Sequence, residues 1–266
     1  MVDALRAAFD RQGWVKFAYD EAVAAWVDHV TPLARAARND PDQIAKWLRA
    51  NGTWFVGVNA IDNDGQGRVG EGPALTGSLR SFIDARFGWH DLDRAQVSIT
   101  FPGYPQPDPH ETDAGFRYRR DRDAAHLDGL KPELPGGGRC VAEAHAYVIG
   151  IPLTRTDDRA SPLVLWEGSH LIMRKAMEEA FADVPADQMR RHDVTKAYQA
   201  ARREVFETCP RIPVHASPGE AYLLDRFTLH GVAPWLDGAE APAEGRMIAY
   251  FRPDMPGGVS DWLTLP

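Results

Sequence analysis

Apolar residues recur at helical steps along the first fifty positions and at strand-like steps over much of the remainder. Helices are predicted over Val2 to Arg11, Tyr19 to Ala37 and Pro41 to Ala50, with a short extended GWVKF piece between the first two. In the second helix Ala22, Ala25, Trp26, Val30 and Leu33 form a stripe at three- and four-residue steps, as in a helix lying on another layer. From Thr53 the period changes. Trp54-Phe55-Val56-Gly57-Val58, followed by Asp62-Asn63-Asp64-Gly65, reads as a strand entering a polar turn. A helix is predicted around Leu79 to Arg86. Extended segments are predicted over Gln96 to Tyr104, Phe116 to Arg120, Ala142 to Leu153, Ser161 to Trp166, Ile212 to His215, Glu220 to Asp225 and Arg246 to Arg252. Between Leu171 and Pro210 the pattern returns to helix, with Val194, Ala197, Ala201 and Val205 on one face.

Many short strands, helices gathered mostly at the front and turn residues in PGYPQPDPH and KPELPGGG point to a mainly β sandwich or barrel buttressed by helices. Regular strand–helix alternation, which a doubly wound fold needs, is missing. One domain over residues 1–266 is expected, with a helical insertion at about 171–210. At 44% hydrophobic and 26% charged, the 266 residues have the composition of a globular chain and exclude disorder or fibre. The 38 acidic against 30 basic residues give a net charge of −8, which sets up no general field for nucleic acid or anionic lipid. No apolar run is long enough to span a membrane, and MVDALRAAFDRQGWVKF mixes charge into every turn, so a cytoplasmic protein is expected. Cys140 and Cys209 are too few and too far apart for a disulfide framework or a CxxC clip, and read as buried or incidental thiols.

The chemistry centres on His126-Leu127-Asp128. On extended backbone, residues two apart point the same way, so an imidazole and a carboxylate can converge on one ion, and Gly129 lets the chain turn away. By itself H-x-D is weak, since a surface His beside a turn-forming Asp is commoner. His230 strengthens it: in GEAYLLDRFTLHG an apolar strand ends in a His followed at once by Gly. Two His and one carboxylate on one face form the triad that holds non-haem Fe(II) and leaves positions open for other ligands. Arg246 lies sixteen residues further on, at the start of the next predicted strand, where a guanidinium aimed inwards can grip a carboxylate with two parallel hydrogen bonds. Arg252 is its rival, because both even-numbered arginines fall on one strand face.

With their neighbours, these residues resemble the phytanoyl-CoA dioxygenase-like branch of the iron- and 2-oxoglutarate-dependent dioxygenases. AFDRQGWVKF resembles the family's N-terminal helix and first strand, WEGSH at Trp166 to His170 its GSH turn, and PGEAYLLDRFTLHG the strand delivering the second His; together these span residues 5 to 252. The resemblance implies a double-stranded β-helix, or jelly roll, with Fe(II) bound by His126, Asp128 and His230 and with Arg246 gripping the distal carboxylate of 2-oxoglutarate. It also implies consumption of O2, formation of succinate and CO2, and hydroxylation of an unactivated C–H of a small molecule. Two departures stand out. The WLDGAEAPAEG segment lengthens the turn between His230 and Arg246, and Val232 occupies a position where a hydroxyl often assists the co-substrate, leaving Thr228 or Tyr104 as substitutes. A zinc-type hydrolase on the same triad, or a metal-free small-molecule-binding module, are the alternatives.

Other signals have plainer readings. The four arginines between Arg117 and Arg122 could hold an anionic substrate, but a charged edge strand is the commoner use. His170 is expected to satisfy backbone groups, and His145 to serve the core or support the ligands. Trp54, Trp166 and Trp235 could wall an apolar pocket, and the 171–210 helices could act as a lid or as a buttress.

Overall fold

The computed structural model describes residues 2–266. Helix α1 (Val2–Gln12) leads into β1 (Trp14–Phe17), then α2 (Glu21–Asn39), α3 (Pro41–Trp47), β2 (Leu48–Arg49) and β3 (Trp54–Phe55). A long connection reaches α4 (Ser78–Arg86), β4 (Gln96–Thr100), α5 (Asp113–Asp121), β5 (Leu130–Lys131), β6 (Cys140–Val141), β7 (Tyr147–Pro152) and β8 (Leu163–Trp166). Helices α6 (Ser169–Phe181) and α7 (Thr195–Thr208) precede β9 (Arg211–Val214), β10 (Ala221–Asp225), β11 (His230–Val232), β12 (Arg246–Phe251) and α8 (Gly258–Thr264).

Seven strands form an antiparallel sheet in the order β1-β10-β7-β12-β4-β3-β2, and three form a smaller one, β11-β8-β9. The alternation read from β12 explains how the two layers fit. Met247, Ala249 and Phe251 join the core beneath the helices, whereas Ile248 and Tyr250 join Val148, Tyr222 and Leu224 against Leu163, Leu165 and Val214 of the smaller sheet. The space between the sheets is therefore a second apolar core, and side chains at even positions of β12 point into it. Among the described residues, no helix is long and apolar enough to cross a membrane.

Helix α2 covers the outer face of the large sheet, as its pattern predicts, but with a shifted stripe: Val23, Trp26, Val27, Val30 and Ala34 are buried, and Leu33 is exposed. The Trp26 ring meets Phe251 at 5.7 Å. The bulkier valines, and not Ala22 and Ala25, take the inward face because they remove more apolar surface from water.

The predicted strand over Phe116 to Arg120 is a helix, α5. The Thr112 side chain accepts from the Gly115 N–H at 3.1 Å, an N-cap that starts the helix. Arg119 is buried in an ion pair with Glu111, within 3.7 Å of Asp108, and Arg120 lies over the Phe116 ring one turn back. Arg120 and Phe116 are neighbours one helical turn apart, while Arg119 turns back to carboxylates of the preceding loop, so the alternation in the sequence is accidental. The extended segment predicted from Ala142 is regular only from Tyr147, because Ala142 to Ala146 turn out of the β5–β6 hairpin. Likewise only Trp54–Phe55 of the predicted Trp54–Val58 strand pairs, and the strand at Gln96 stops at Thr100 before Pro102 and Gly103. The insertion is helical, with Val194, Tyr198, Ala201 and Val205 in the main core.

Candidate metal centre

The side chains of His126, Asp128 and His230 converge, although residue 230 lies on β11 and the other two precede β5. One ligand atom from each lies within 4.8 Å of the others. Asp128 Oδ1 is 3.4 Å from His126 Nε2, Oδ2 is 3.3 Å from His230 Nε2, and the imidazole centroids are 4.7 Å apart. What joins the two stretches is backbone. The His126 N–H donates to the His230 carbonyl at 2.8 Å, and the His230 N–H returns the bond at 3.2 Å, so residue 126 extends the small sheet beside β11.

Two glycines make this approach possible. A Cβ on Gly231 would stand 2.0 Å from the Asp123 carbonyl oxygen, and one on Gly129 2.0 Å from that of Glu143; Gly129 also has φ +79. Each is a place where backbone passes too near for any side chain.

The tautomers are set locally. His126 Nδ1 lies 2.9 Å from the Ala124 carbonyl and His230 Nδ1 2.9 Å from that of Thr228. A carbonyl only accepts, so each Nδ1 carries a proton and Nε2 is the atom that faces Asp128, a donor to the carboxylate while protonated and a lone pair for a metal once that proton leaves. The carboxylate is held in turn. Arg252 Nε donates to Asp128 Oδ2 at 2.7 Å, and Arg252 Nη1 to Gln96 Oε1 at 2.6 Å. Burial pushes the Asp128 carboxyl up, but Arg252 and the two imidazoles outweigh it and hold the group well below the usual carboxylate range. Two imidazole nitrogens and an anionic oxygen, open on one side, suit a first-row divalent ion.

The triad borders a cavity of about 610 Å³, also lined by Trp54, Val56, Ser98, Leu163, Tyr250 and Arg252. Arg246 lies at the start of β12, opposite Thr100 of β4; neither lines the triad's cavity, and Arg246 borders a separate, smaller space between the sheets with Thr154, Tyr222 and Ile248. Arg246 is 5% exposed and Thr100 1%, yet among the described residues Arg246 Nη1 and Thr100 Oγ1 have no hydrogen-bond partner. Buried donors are rarely left so, and a neighbouring guanidinium and hydroxyl in this state suit a carboxylate. Arg252 is already engaged by Asp128 and Gln96.

Several expectations are corrected here. Thr228 is no substitute hydroxyl, because its Oγ1 donates to the Gly13 carbonyl at 2.7 Å. Tyr104 is left open as the other suggestion: it packs on Trp54, and burial pushes its phenol up while the Arg119 and Arg246 charges pull it back. Trp54 does wall the cavity, but Trp166 packs on Phe206 at 5.1 Å, and neither it nor Trp235 lines that space. Among the described residues, none of the Arg117–Arg122 run and none of residues 171–210 lines it, so those helices buttress the core and do not cap the mouth. His170 Nε2 lies 3.2 Å from the Asp10 carbonyl, as a backbone-satisfying residue should. His145 does line the cavity: its Nε2 is 3.3 Å from Glu143 Oε2 and its Nδ1 3.6 Å from Asp254 Oδ1. Burial pulls its pKa down, but Asp254 and Glu143 raise it to about 9.

No protein-family model matches the sequence, and no curated protein matches it. By fold the chain is similar to AviO1 from Streptomyces viridochromogenes Tue57, at 16% identity over 96% of each chain with a TM-score of 0.50. It is similar too to the epimerase SnoN in complex with Fe3+, alpha ketoglutarate and nogalamycin RO, at 13% identity over 100% of this chain and 90% of that one, with a TM-score of 0.51. The fold is a jelly roll. Within that fold the triad is a cluster suited to hold a divalent metal ion.

Proposed function

We propose that the chain is an Fe(II)- and 2-oxoglutarate-dependent oxygenase of the phytanoyl-CoA dioxygenase-like kind, hydroxylating a C–H bond of a small organic molecule. The observation that carries this is the convergence of His126, Asp128 and His230, each imidazole bonded through Nδ1 and facing Asp128 with Nε2, on the floor of a cavity with room for further ligands. In support, SnoN, which shares the fold, was crystallised with Fe3+ and alpha ketoglutarate.

On this reading His126, Asp128 and His230 hold the iron. Arg246 and Thr100, each with a buried polar atom unpartnered among the described residues, receive the distal carboxylate of 2-oxoglutarate. Bound iron supplies the redox chemistry that couples decarboxylation of 2-oxoglutarate, to succinate and CO2, to oxidation of substrate by O2. Arg252 keeps Asp128 anionic and takes one of its oxygens, so that the carboxylate faces the metal in a fixed orientation. Trp54, Val56 and Leu163 exclude water from part of the cavity wall.

The test is succinate release from 2-oxoglutarate under air. The wild-type protein with Fe(II) is expected to form succinate slowly even without substrate, and His126→Ala to form none above background. Equal release from the two proteins would refute the assignment.

A further inference from the structure

The cavity wall carries more charge than the three ligands require, and nearly all of it is matched. Lys131 pairs with Glu143, His145 sits between Glu143 and Asp254, and Arg252 is bound to Asp128 and Gln96. Asp93 accepts the backbone N–H of Arg252. Among the cations of the wall, Arg139 is the exception. It lines the cavity, yet among the described residues no carboxylate lies within 4.0 Å of its guanidinium, which makes one hydrogen bond, from Nη1 to the Leu130 carbonyl at 2.9 Å. A guanidinium has five N–H donors, so most of this one's are unused.

The residue is also held in place. Its backbone N–H donates to Thr195 Oγ1 at 2.7 Å, its carbonyl accepts from the Val194 N–H at 2.9 Å, and its guanidinium lies 5.7 Å from the Tyr198 ring centroid. Arg139 thus presents a planar fork from a fixed backbone at the β5–β6 hairpin, whose other strand leads directly from Asp128 and Gly129. Elsewhere the same cavity is apolar, at Trp54, Val56, Val58 and Leu163. A volume of about 610 Å³ falls in the range of small-molecule sites.

We propose that Arg139 anchors an oxyanion at one end of the substrate, and that the substrate is an acid, a carboxylic acid or a phosphate ester, with an apolar body lying along the remaining wall. The inference rests on the cavity being the substrate site of the proposed oxygenase. A cationic substrate would meet an unopposed positive charge, and a neutral one would leave the fork unused.

The experiment uses the full chain loaded with Co(II) and saturated with 2-oxoglutarate, and three probes sharing one apolar body: octanoate, octyl phosphate and octanamide. Affinity is read by calorimetry, and proximity to the triad by paramagnetic relaxation of the probe protons. Charge-assisted hydrogen bonds contribute about 1.5–3 kcal/mol, so at least one of the two anions is expected to bind roughly tenfold or more tighter than the amide, with its protons relaxed by Co(II). Whichever anion prevails identifies the head group. Arg139→Gln is expected to bring all three within about threefold, Arg139→Lys to keep part of the preference, and Lys131→Gln to leave it. Equal binding of acid and amide, no binding at all, or a preference that survives Arg139→Gln would overturn the proposal. Head-group preference without relaxation, in protein that fails to bind Co(II), would instead locate the failure in the metal centre.

Discussion

The Arg252–Asp128 contact gives a sharp expectation for the metal-free protein. Arg252→Leu removes a guanidinium donating at 2.7 Å to a carboxylate whose side chain is 13% exposed, with Arg252 itself at 17%. Breaking a buried pair by deleting one partner costs about 3–5 kcal/mol, because the other charge is left uncompensated. Asp128 borders an open cavity, and water there recovers part of that loss, which brings the expectation to about 2–3 kcal/mol. At roughly 2–4 °C per kcal/mol for a chain of this size, Tm should fall by about 5–10 °C. The assay is urea unfolding followed by circular dichroism, after chelator treatment, in wild type, Arg252→Leu, Asp128→Asn and the double variant. With Asp128 neutralised nothing remains for Arg252 to offset, so the Arg252→Leu loss should shrink to under about 1 kcal/mol in the Asn background. Saturating Zn(II) should return most of the stability of Arg252→Leu, since the ion replaces the missing positive charge. A loss below about 0.5 kcal/mol, or an equal loss in the Asn background, would refute the argument.

Further expectations follow from other contacts. Gly231→Ala drives a Cβ into the Asp123 carbonyl, so the bridge between His126 and His230 should open and Co(II) affinity fall at least about tenfold; unchanged affinity would show that the close approach is dispensable. Arg246→Gln should weaken 2-oxoglutarate binding by about 10–100-fold and Thr100→Val by about 2–10-fold in calorimetry on Zn(II)-loaded protein, and unchanged affinity in the first would remove the clamp from β12. His145, raised from 6.5 to about 9, contributes stability that is complete below pH 6.5 and lost as pH climbs through 9. Its partners Glu143 and Asp254 are 44% and 83% exposed, so the loss between pH 6.5 and 9.5 should be only about 1–2 kcal/mol; it should be missing in His145→Gln, and equal pH profiles would contradict this.

The clustering of His126, Asp128 and His230 was legible because H-x-D and His-Gly are local patterns: the side-chain geometry of two extended residues and a glycine at the close approach after His230 are written in consecutive letters. The sequence also carried the alternation of β12, which put Arg246 and Arg252 on one face. It did not carry what depends on register. That Thr100 lies opposite Arg246 follows from the pairing of β4 with β12, and no spacing encodes that offset. The same holds for the Gly231 approach to Asp123 and for Arg252 reaching back across the sheet to Asp128. The misread α5 shows another limit. Aromatic and arginine residues alternating over Phe116 to Arg120 imitate a strand, while the decisive signal, the Thr112 cap, lies just upstream of the run. Arg139 has no distinguishing context in the sequence, because only the pairing of the other cavity cations sets it apart.

The central claim is that two imidazoles and one carboxylate, from two stretches of chain over a hundred residues apart, capture one ferrous ion that accepts 2-oxoglutarate. Anaerobic titration with Fe(II) and 2-oxoglutarate, followed by visible absorption, tests it directly. A weak band saturating at one equivalent of iron is expected in wild type, absent in His126→Ala and His230→Ala. No band in wild type, or an equal band in either variant, would contradict it.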